Sequence, residues 1–132
     1  NEPMKALNMV NVFSRSTLAA PPSALGPGTW VFGAGMALGR RVLASNTAVN
    51  VFHRGFVACD GYDQGEAAMD RVQCPTLFLL GSQDQMTPPK AAQTLSRRAK
   101  HGQTVLLRAG HSLMTDDPDG VLTALQRFLR PG

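Results

Sequence analysis

The sequence lacks long apolar runs and has little cysteine, and both absences narrow the classes of protein to which it can belong. It contains no stretch of eighteen consecutive apolar residues, so it predicts no membrane-spanning helix and no membrane partner. Its two cysteines, Cys59 and Cys74, have a spacing that fits neither a Cys-x-x-Cys redox pair nor a metal knuckle. We therefore expect two buried free thiols in a reducing compartment, which predicts a cytoplasmic location.

Aromatic residues are also scarce, at 6% of the chain, and the basic residues are unevenly placed. Residues 1–70 carry five charges of each sign, so the whole net charge of +4 lies in residues 71–132. Several of these basic residues lie near the end of a predicted helix, where cations complement the helix dipole. No aromatic residue lies between them. The pattern therefore predicts a solvated helix end and no nucleic-acid partner. The basic residues on this predicted helix are Lys90, Arg97, Arg98 and Lys100.

Motifs for metals and cofactors are missing as well. His53, His101 and His111 do not have the spacing of metal ligands, so no metal site is predicted. The sequence GAG at residues 33–35 begins a dinucleotide-binding pattern, but Leu38 occupies the place of its last glycine and no strand precedes it. We expect no cofactor, and we interpret His53, which lies among apolar residues at helical spacing, as a core histidine.

The chain does contain enough apolar residues for a folded core, at 43%, and its two halves differ in pattern. The first half predicts helices separated by Pro/Gly-rich stretches, and it shows no strand pattern. One helix opens at Pro3, a second covers Gly35–Leu43, and a third is capped by Asn46 or Thr47 and ends at Gly61. The residues on the inner faces of the first and third helices are Ala6, Met9, Val10, Phe13, Val49, Phe52, His53 and Phe56.

The second half alternates between strand and helix patterns. The apolar runs CPTLFLLG and TVLLRAG do not alternate with polar residues, which is typical of strands buried on both faces of a parallel sheet. Between them, Thr87 can cap a helix, Pro88 fits its first position and Gly102 fits its end, so the segment predicts a right-handed βαβ unit. Asp117 can cap a closing helix that Pro118 opens. The buried stripe predicted for that helix is Val121, Leu122, Leu125 and Leu129.

The predicted sheet is incomplete. Two parallel strands cannot by themselves bury both faces and both edges of a sheet. We therefore expect the sheet to be a piece of a larger one, or to be completed by pairing with another chain.

Two residues near the end of the second strand are candidates for chemistry. Gly110-His111-Ser112-Leu113-Met114 nearly matches the nucleophile-elbow pattern Gly-x-Ser-x-Gly, in which the last glycine lets the following helix pack closely. Met114 stands where that glycine is needed, and TDDP interrupts the helix that should follow at once. No histidine follows residue 111 to serve Ser112 as a base. We therefore interpret Ser112 as incidental and His111 as the reacting group.

An acidic residue matches His111 in position. Asp84 follows the end of the first strand at Gly81 by three residues, and His111 follows the end of the second strand near Arg108 by three residues. Parallel strands end on the same side of the sheet, so the two side chains should meet and form the acid–histidine half of a catalytic triad. The alternatives are structural: Asp84 forms an Asx-type turn before Thr87, and His111 is a loop histidine bonded to backbone.

The stretch Val72–Leu129 resembles the C-terminal end of an α/β-hydrolase. CPTLFLLGSQDQMTPP resembles the acid-bearing strand and loop of that family, and AGHSLMTDDPDGVLTALQRFL resembles its histidine loop and closing helix. By this resemblance Asp84 is the triad acid, His111 is the base, and residues 71–132 are the C-terminal part of the α/β core. Residues 1–70 resemble, less distinctly, the helical cap that many members carry over the site.

The same resemblance implies a function. In the family the nucleophile elbow and the oxyanion-hole loop lie upstream of the cap, so the chain resembles a C-terminal hydrolase fragment that is inactive alone. It would need the missing N-terminal half, or a second copy, to complete its sheet. The implied substrate is a small hydrophobic ester, lactone, amide or carbon–carbon compound. The candidate walls of an apolar pocket are Met4, Met9, Phe13, Trp30, Phe32, Met36, Phe52, Phe56 and Tyr62. The alternative for most of them is an ordinary place in the core.

Two alternatives stay open. An aspartate can replace serine as nucleophile, as in epoxide hydrolases and dehalogenases of this family. Epoxide hydrolases usually place two cap tyrosines on the epoxide oxygen, whereas this sequence has only Tyr62. The second alternative is a binding or self-association module that retains the hydrolase fold without its chemistry.

Overall fold

The computed structural model describes residues 3–13 and 27–130 of the chain. Four helices come first: α1 (Pro3–Phe13), α2 (Pro27–Ser45), α3 (Val51–Asp60) and α4 (Gly65–Arg71). Two strands, a 3₁₀ turn and three further helices follow: β1 (Thr76–Gly81), the 3₁₀ turn (Pro89–Ala92), α5 (Gln93–Arg98), β2 (Gly102–Leu107), α6 (Leu113–Asp116) and α7 (Pro118–Leu129). No helix of this described part is both long enough and apolar enough to cross a membrane.

The two strands form a parallel pair, as the βαβ pattern predicts. Pairing runs in register from Thr76 opposite Gly102 to Gly81 opposite Leu107, so the strands have equal length and end together. The crossover contains the 3₁₀ turn and α5 rather than one continuous helix. Thr87 is not the helix cap, because its hydroxyl donates to Asp84 instead and the turn begins only at Pro89. The predicted α/β fold class, with one βαβ unit and a closing helix after a helical segment, is confirmed.

The helices of the first half pack in sequence, α1 against α2 and α2 against α3. Leu7 of α1 is buried at 7% exposure and lies against Gly39 of α2. A Cβ at residue 39 would come within 2.6 Å of the Leu7 side chain, so glycine allows the two helices to approach closely here. Helix α2 is longer than predicted at both ends. Residues 14–26, which include most of the predicted break, lie outside the described residues.

Helix α3 begins later than predicted because a different asparagine caps it. The Asn50 side chain accepts the backbone N–H of His53 at 3.1 Å, which satisfies an orphan donor of the first turn. The expected cap, Asn46, instead accepts the N–H groups of Ala48 and Val49 in a turn of its own. Gly61 ends the helix, as predicted.

Helix α4 was not expected, and it is tied to α5 by charge. The Arg98 guanidinium lies 2.6 Å from Asp70 and 2.9 Å from Glu66, and the hydrogen bond from Arg98 to Asp70 is the main cause of a raised pKa for Arg98. Arg98 is therefore an ion-pairing residue, not only a cation at the end of a helix. Helix α4 spans the predicted division between residues 70 and 71, which itself stays a prediction.

Burial differs from several sequence-based expectations. The buried hydrophobic residues of the described part are Leu7, Ala109, Val121 and Ala124. Strand β1 is mostly half-buried and β2 mostly exposed, so the expectation that both strands are buried on both faces is wrong. Within the described part, packing on the sheet comes from α7, α5 and the 3₁₀ turn, and this is too little to cover two faces. In the closing helix Val121 is buried, whereas the other predicted stripe residues, Leu122, Leu125 and Leu129, are exposed.

The expectations of a buried thiol pair and a core histidine are also wrong. Cys59 and Cys74 are free and exposed. Helix α3 carries no buried residue, and the Cys59 and His53 side chains on it are exposed, so its predicted inner face is not buried. Phe56 on the same helix is 50% exposed. Exposed thiols do not indicate the compartment in the way that buried ones were expected to, so a cytoplasmic location stays an expectation.

The closing helix begins as the sequence predicts. Pro118 occupies its first turn, and the Asp117 carboxylate accepts the N–H of Gly120 at 2.9 Å. An N-cap carboxylate satisfies a donor that has no partner inside the helix and complements the helix dipole. Since α7 packs on both strands, the cap contributes to the position of the sheet's main covering element.

We expect Asp117→Ala to lower the free energy of unfolding by about 1 kcal/mol, because the first turn of α7 loses its cap. Asp117→Asn keeps an oxygen acceptor in the same place, so it should lose much less. Urea denaturation followed by far-UV circular dichroism measures both. Equal midpoints for the alanine variant and the unchanged chain would contradict the capping role.

Candidate active site

The loops that follow the two strands are held side by side by continued backbone pairing. Beyond β1, the N–H of Ser82 donates to the Leu107 carbonyl at 2.8 Å, and the N–H of Gln83 donates to the Ala109 carbonyl at 2.9 Å. The parallel ladder thus extends past the strands themselves. It leaves the next residue of one loop, Asp84, near the same rim of the sheet as the residues that follow Ala109 in the other.

Asp84 is fixed by a local turn. One of its carboxylate oxygens, Oδ1, accepts the backbone N–H groups of Met86 at 2.8 Å and Thr87 at 2.9 Å. Its own N–H donates to the Gly81 carbonyl at 3.1 Å. This is the Asx-type turn that the sequence allows as a structural role for Asp84.

The other carboxylate oxygen of Asp84 faces the imidazole. Oδ2 lies 2.9 Å from Nδ1 of His111, and it also accepts the Thr87 hydroxyl at 2.9 Å. The Asp84 side chain is only 8% exposed, whereas the His111 ring is 40% exposed. The structure therefore brings together the two predicted site residues, and the turn and the acid–histidine contact use different oxygens of one carboxylate.

The pKa of Asp84 lies below its ordinary value. Burial acts to raise this pKa, but several hydrogen bonds to the charged form together outweigh burial. The strongest comes from the Thr87 N–H, followed by those from His111, the Thr87 hydroxyl and the Met86 N–H. Asp84 is thus a carboxylate at neutral pH. In this state it can accept a hydrogen bond from a protonated Nδ1 of His111.

The loop that carries His111 is held tightly from beneath. Ala109 and Gly110 are buried, and the Gly110 N–H donates to the Asp116 carboxylate at 2.7 Å. Gly81 lies under this loop: a Cβ there would come within 2.5 Å of the Ala109 carbonyl oxygen and still closer to that of Gly110. Glycine at residue 81 is therefore required for the close approach of the two loops.

Ser112 has the geometry of an ordinary loop residue. It lies at φ −89° and ψ 65°, close to an inverse γ-turn, and not in the strained conformation of a nucleophile elbow. Among the described residues none, glycine included, has a positive φ. One part of the sequence argument is wrong, because a short helix, α6, does follow Ser112 directly. The interpretation of Ser112 as incidental stays a prediction.

A separate apolar cavity of about 810 Å³ lies among α1, α2 and α3. Of the predicted pocket walls, it includes Phe52 and Phe56, and neither Asp84 nor His111 lines it. Met4, Met9 and Tyr62 are exposed, and the side chains of Phe13, Trp30 and Phe32 lie outside the described residues. The full lining is Ala6, Leu7, Val10, Leu43, Asn50, Phe52, His53, Phe56, Val57 and Asp60.

Sequence reasoning missed two residues of this region. The sequence predicts Thr87 as a helix cap, but its hydroxyl contacts both Asp84 and His111. No contact is predicted for Asp116, but its carboxylate accepts the backbone N–H of Gly110, next to His111. A threonine three residues after an aspartate is a signal for a local side-chain hydrogen bond, but the same spacing also suits a helix start. Across residues 3–13 and 27–130, no group of three or more acidic, histidine or cysteine side chains is placed to hold a metal ion.

Gly81→Ala should lower the free energy of unfolding by about 1–3 kcal/mol, since a methyl group must displace the buried backbone at Ala109 and Gly110. It should also separate Asp84 from His111, which removes the hydrogen-bonded Nδ1 proton signal from the proton NMR spectrum. Gly55→Ala is the matched control, because nothing lies within 4 Å of a Cβ at that position. A spectrum unchanged by Gly81→Ala would contradict the close-approach argument.

The lowered pKa of Asp84 predicts an acid-sensitive contribution to stability. A carboxyl with a depressed folded-state pKa stabilises the fold above its unfolded-state pKa, about 3.9, and loses this effect as the pH falls through the lower folded value. The unchanged chain should therefore be more stable than Asp84→Asn at pH 7, and the difference should shrink as the pH falls below about 5. Urea midpoints measured from pH 7 to pH 2.5 test this, and a difference that does not vary with pH would argue against it.

Comparison with known proteins agrees with the fold. The model of the alpha/beta hydrolase family matches residues 3–124 of the chain. A search of curated protein sequences gives no match. Among solved structures, the chain is similar to one titled "Structure of a thermophilic esterase", with a TM-score of 0.69 and 21% identity. The match covers 98% of this chain but only 46% of that one, and at this identity it shows the fold alone. Because the family match extends over most of the sequence, this chain belongs to the alpha/beta hydrolase family.

Proposed function

We propose that the chain supplies the acid and the base of a serine-type hydrolase, with His111 as the general base and Asp84 as the residue that orients it. The observation that carries the proposal is the 2.9 Å contact between Asp84 Oδ2 and His111 Nδ1 beyond the carboxyl ends of two parallel strands. In open α/β sheets this rim is where reaction sites collect. The difference in exposure supports it, since the acid is covered and the imidazole is accessible.

The proposed chemistry uses the two ring nitrogens differently. With its Nδ1 proton donated to Asp84, His111 keeps Nε2 as the basic atom. Nε2 takes the proton from a serine hydroxyl or a water molecule as that group attacks the substrate carbonyl. The resulting imidazolium then returns the proton to the leaving group, and the Asp84 carboxylate stabilises the cation while it exists.

The nucleophile in this proposal comes from outside these 132 residues. The sequence contains no Gly-x-Ser-x-Gly motif, and Ser112 has an unstrained backbone. The exposed Leu106, Leu122, Leu125 and Leu129 support a sheet and closing helix that are covered by further polypeptide. We propose that this covering polypeptide is the N-terminal half of the hydrolase, which also supplies the nucleophile. A second copy of the chain is the alternative as a cover for the sheet only.

The proposed substrate is a small hydrophobic ester, lactone, amide or carbon–carbon compound. The cavity among α1, α2 and α3 has the apolar lining and the volume of pockets for such ligands, although neither Asp84 nor His111 lines it. In this proposal residues 1–70 form the cap over the site, and residues 71–132 form the C-terminal part of the core. The likeness to a structure titled as an esterase favours the ester among the four classes.

A second candidate function is a binding or self-association module without chemistry. It is favoured by the large exposed apolar side chains on β2 and α7, which can be covered by another protein as well as by the rest of an enzyme. Under this alternative the Asp84–His111 contact is structural, and His111 is dispensable for function. The two candidates therefore differ in whether function requires the His111 imidazole.

The test compares variants of the intact gene product in the hydrolysis of short-chain aryl esters. His111→Ala should lower kcat by about 10²–10⁴-fold, because the general base is lost. His101→Ala is the control, since His101 is an exposed histidine ten residues away in sequence, and it should leave kcat unchanged. The isolated 132-residue chain should show no hydrolysis. Full activity in His111→Ala would sink the hydrolase proposal and favour the binding module.

A further inference from the structure

The Thr87 hydroxyl completes a triangle with the candidate acid and base. Its Oγ1 lies 2.9 Å from Asp84 Oδ2 and 3.1 Å from His111 Nδ1, while those two atoms are themselves 2.9 Å apart. We propose that Thr87 is a positioning residue that fixes the plane of the His111 imidazole, whose Nδ1 proton Asp84 accepts. The proposal rests on the proposed function for its catalytic meaning, but the arrangement can be measured without any catalysis.

Donors and acceptors match in only one way around this triangle. The Oδ1 atom of Asp84 already accepts two backbone N–H groups, so Oδ2 is the oxygen left for the side chains. An ionised carboxylate accepts only, so the Thr87 hydroxyl gives its proton to Oδ2 and turns a lone pair toward Nδ1. A bare Nδ1 would then face two acceptors and be repelled by both. A protonated Nδ1 donates to both, and this leaves Nε2 of His111 as the basic nitrogen.

The hydroxyl is held in place by the same turn that holds Asp84. The Thr87 backbone N–H is bound to Oδ1, and Pro88, at φ −59° and ψ 152°, follows at once. A residue before proline is restricted to extended conformations, and a β-branched side chain has few rotamers. Thr87 therefore loses little additional freedom when its hydroxyl bridges the pair. A single acceptor would leave the ring free to pivot about the Nδ1–Oδ2 line, whereas two acceptors define the direction of Nε2.

Two variants separate the hydroxyl from the shape of the side chain. Thr87→Val keeps the branched shape and removes the hydroxyl, and Thr87→Ser keeps the hydroxyl and removes the methyl group. Nitrogen-15 NMR of the full chain labelled at histidine reports which ring nitrogen of His111 carries the proton. At a pH where the ring is neutral, we expect an Nδ1-protonated ring in the unchanged chain and in Thr87→Ser. In Thr87→Val the Asp84 carboxylate still accepts from Nδ1, so we expect the same tautomer. We expect the His111 Nδ1 proton signal to be shifted and to exchange faster with water, because one of its two acceptors is lost.

Activity of the intact gene product supplies a second readout. Losing one hydrogen bond to a group that becomes charged should lower kcat for aryl esters on the order of tenfold, with little change in KM. Thr87→Ser should restore most of that loss. A merely structural threonine would instead change stability and leave the His111 Nδ1 proton signal and the split between kcat and KM as they are.

Two results would overturn the proposal. An Nε2-protonated ring in the unchanged chain overturns it without any variant, even if Thr87→Val does not fold, and it contradicts the proposed general base as well. A His111 Nδ1 proton signal with the same position and exchange rate in Thr87→Val overturns the positioning role alone. A changed signal in Thr87→Val that Thr87→Ser restores upholds the positioning role even if His111→Ala remains fully active, and in that case only the hydrolase proposal fails.

Discussion

The parallel, in-register pairing of β1 and β2 is the constraint on which the candidate site depends. The strands have equal length, and the pairing continues through Ser82 and Gln83 into the loops. Neither loop can shift along the sheet without breaking backbone hydrogen bonds of the other. Asp84 and His111 are 27 residues apart in sequence, and it is the backbone pairing of the strands that brings them together.

Asp84 shows how one carboxylate can serve structure and chemistry together. Oδ1 accepts the backbone N–H groups of Met86 and Thr87 and so closes the turn, whereas Oδ2 contacts His111. The turn donors also favour the charged form of the acid against the effect of burial. The alternatives of a local turn and a triad acid are therefore not exclusive, because the turn is what prepares the carboxylate to orient an imidazole.

The sequence predicts most of the local order around the site and little of its burial. The strand ends, the placement of Asp84 and His111, and the Asp117 cap follow from apolar runs and turn chemistry, which act over a few residues. The start of α3 does not, because Asn46 and Asn50 can both cap and only packing chooses between them. The exposure of Leu122, Leu125 and Leu129 could not be predicted. An apolar pattern shows that a helix face suits burial, but it does not show whether these 132 residues supply the polypeptide that buries it.

The Arg98 bridge has a consequence for how the two halves of the chain respond to their surroundings. One guanidinium joins Glu66 and Asp70 of α4 to α5, and all three side chains are at least 40% exposed. Attraction between exposed charges weakens as dissolved ions accumulate, with a screening length of about 10 Å at 0.1 M salt. Added sodium chloride therefore weakens the ion pairs that join α4 to α5. It affects the contact between Asp84 and His111 far less, because the Asp84 side chain is buried.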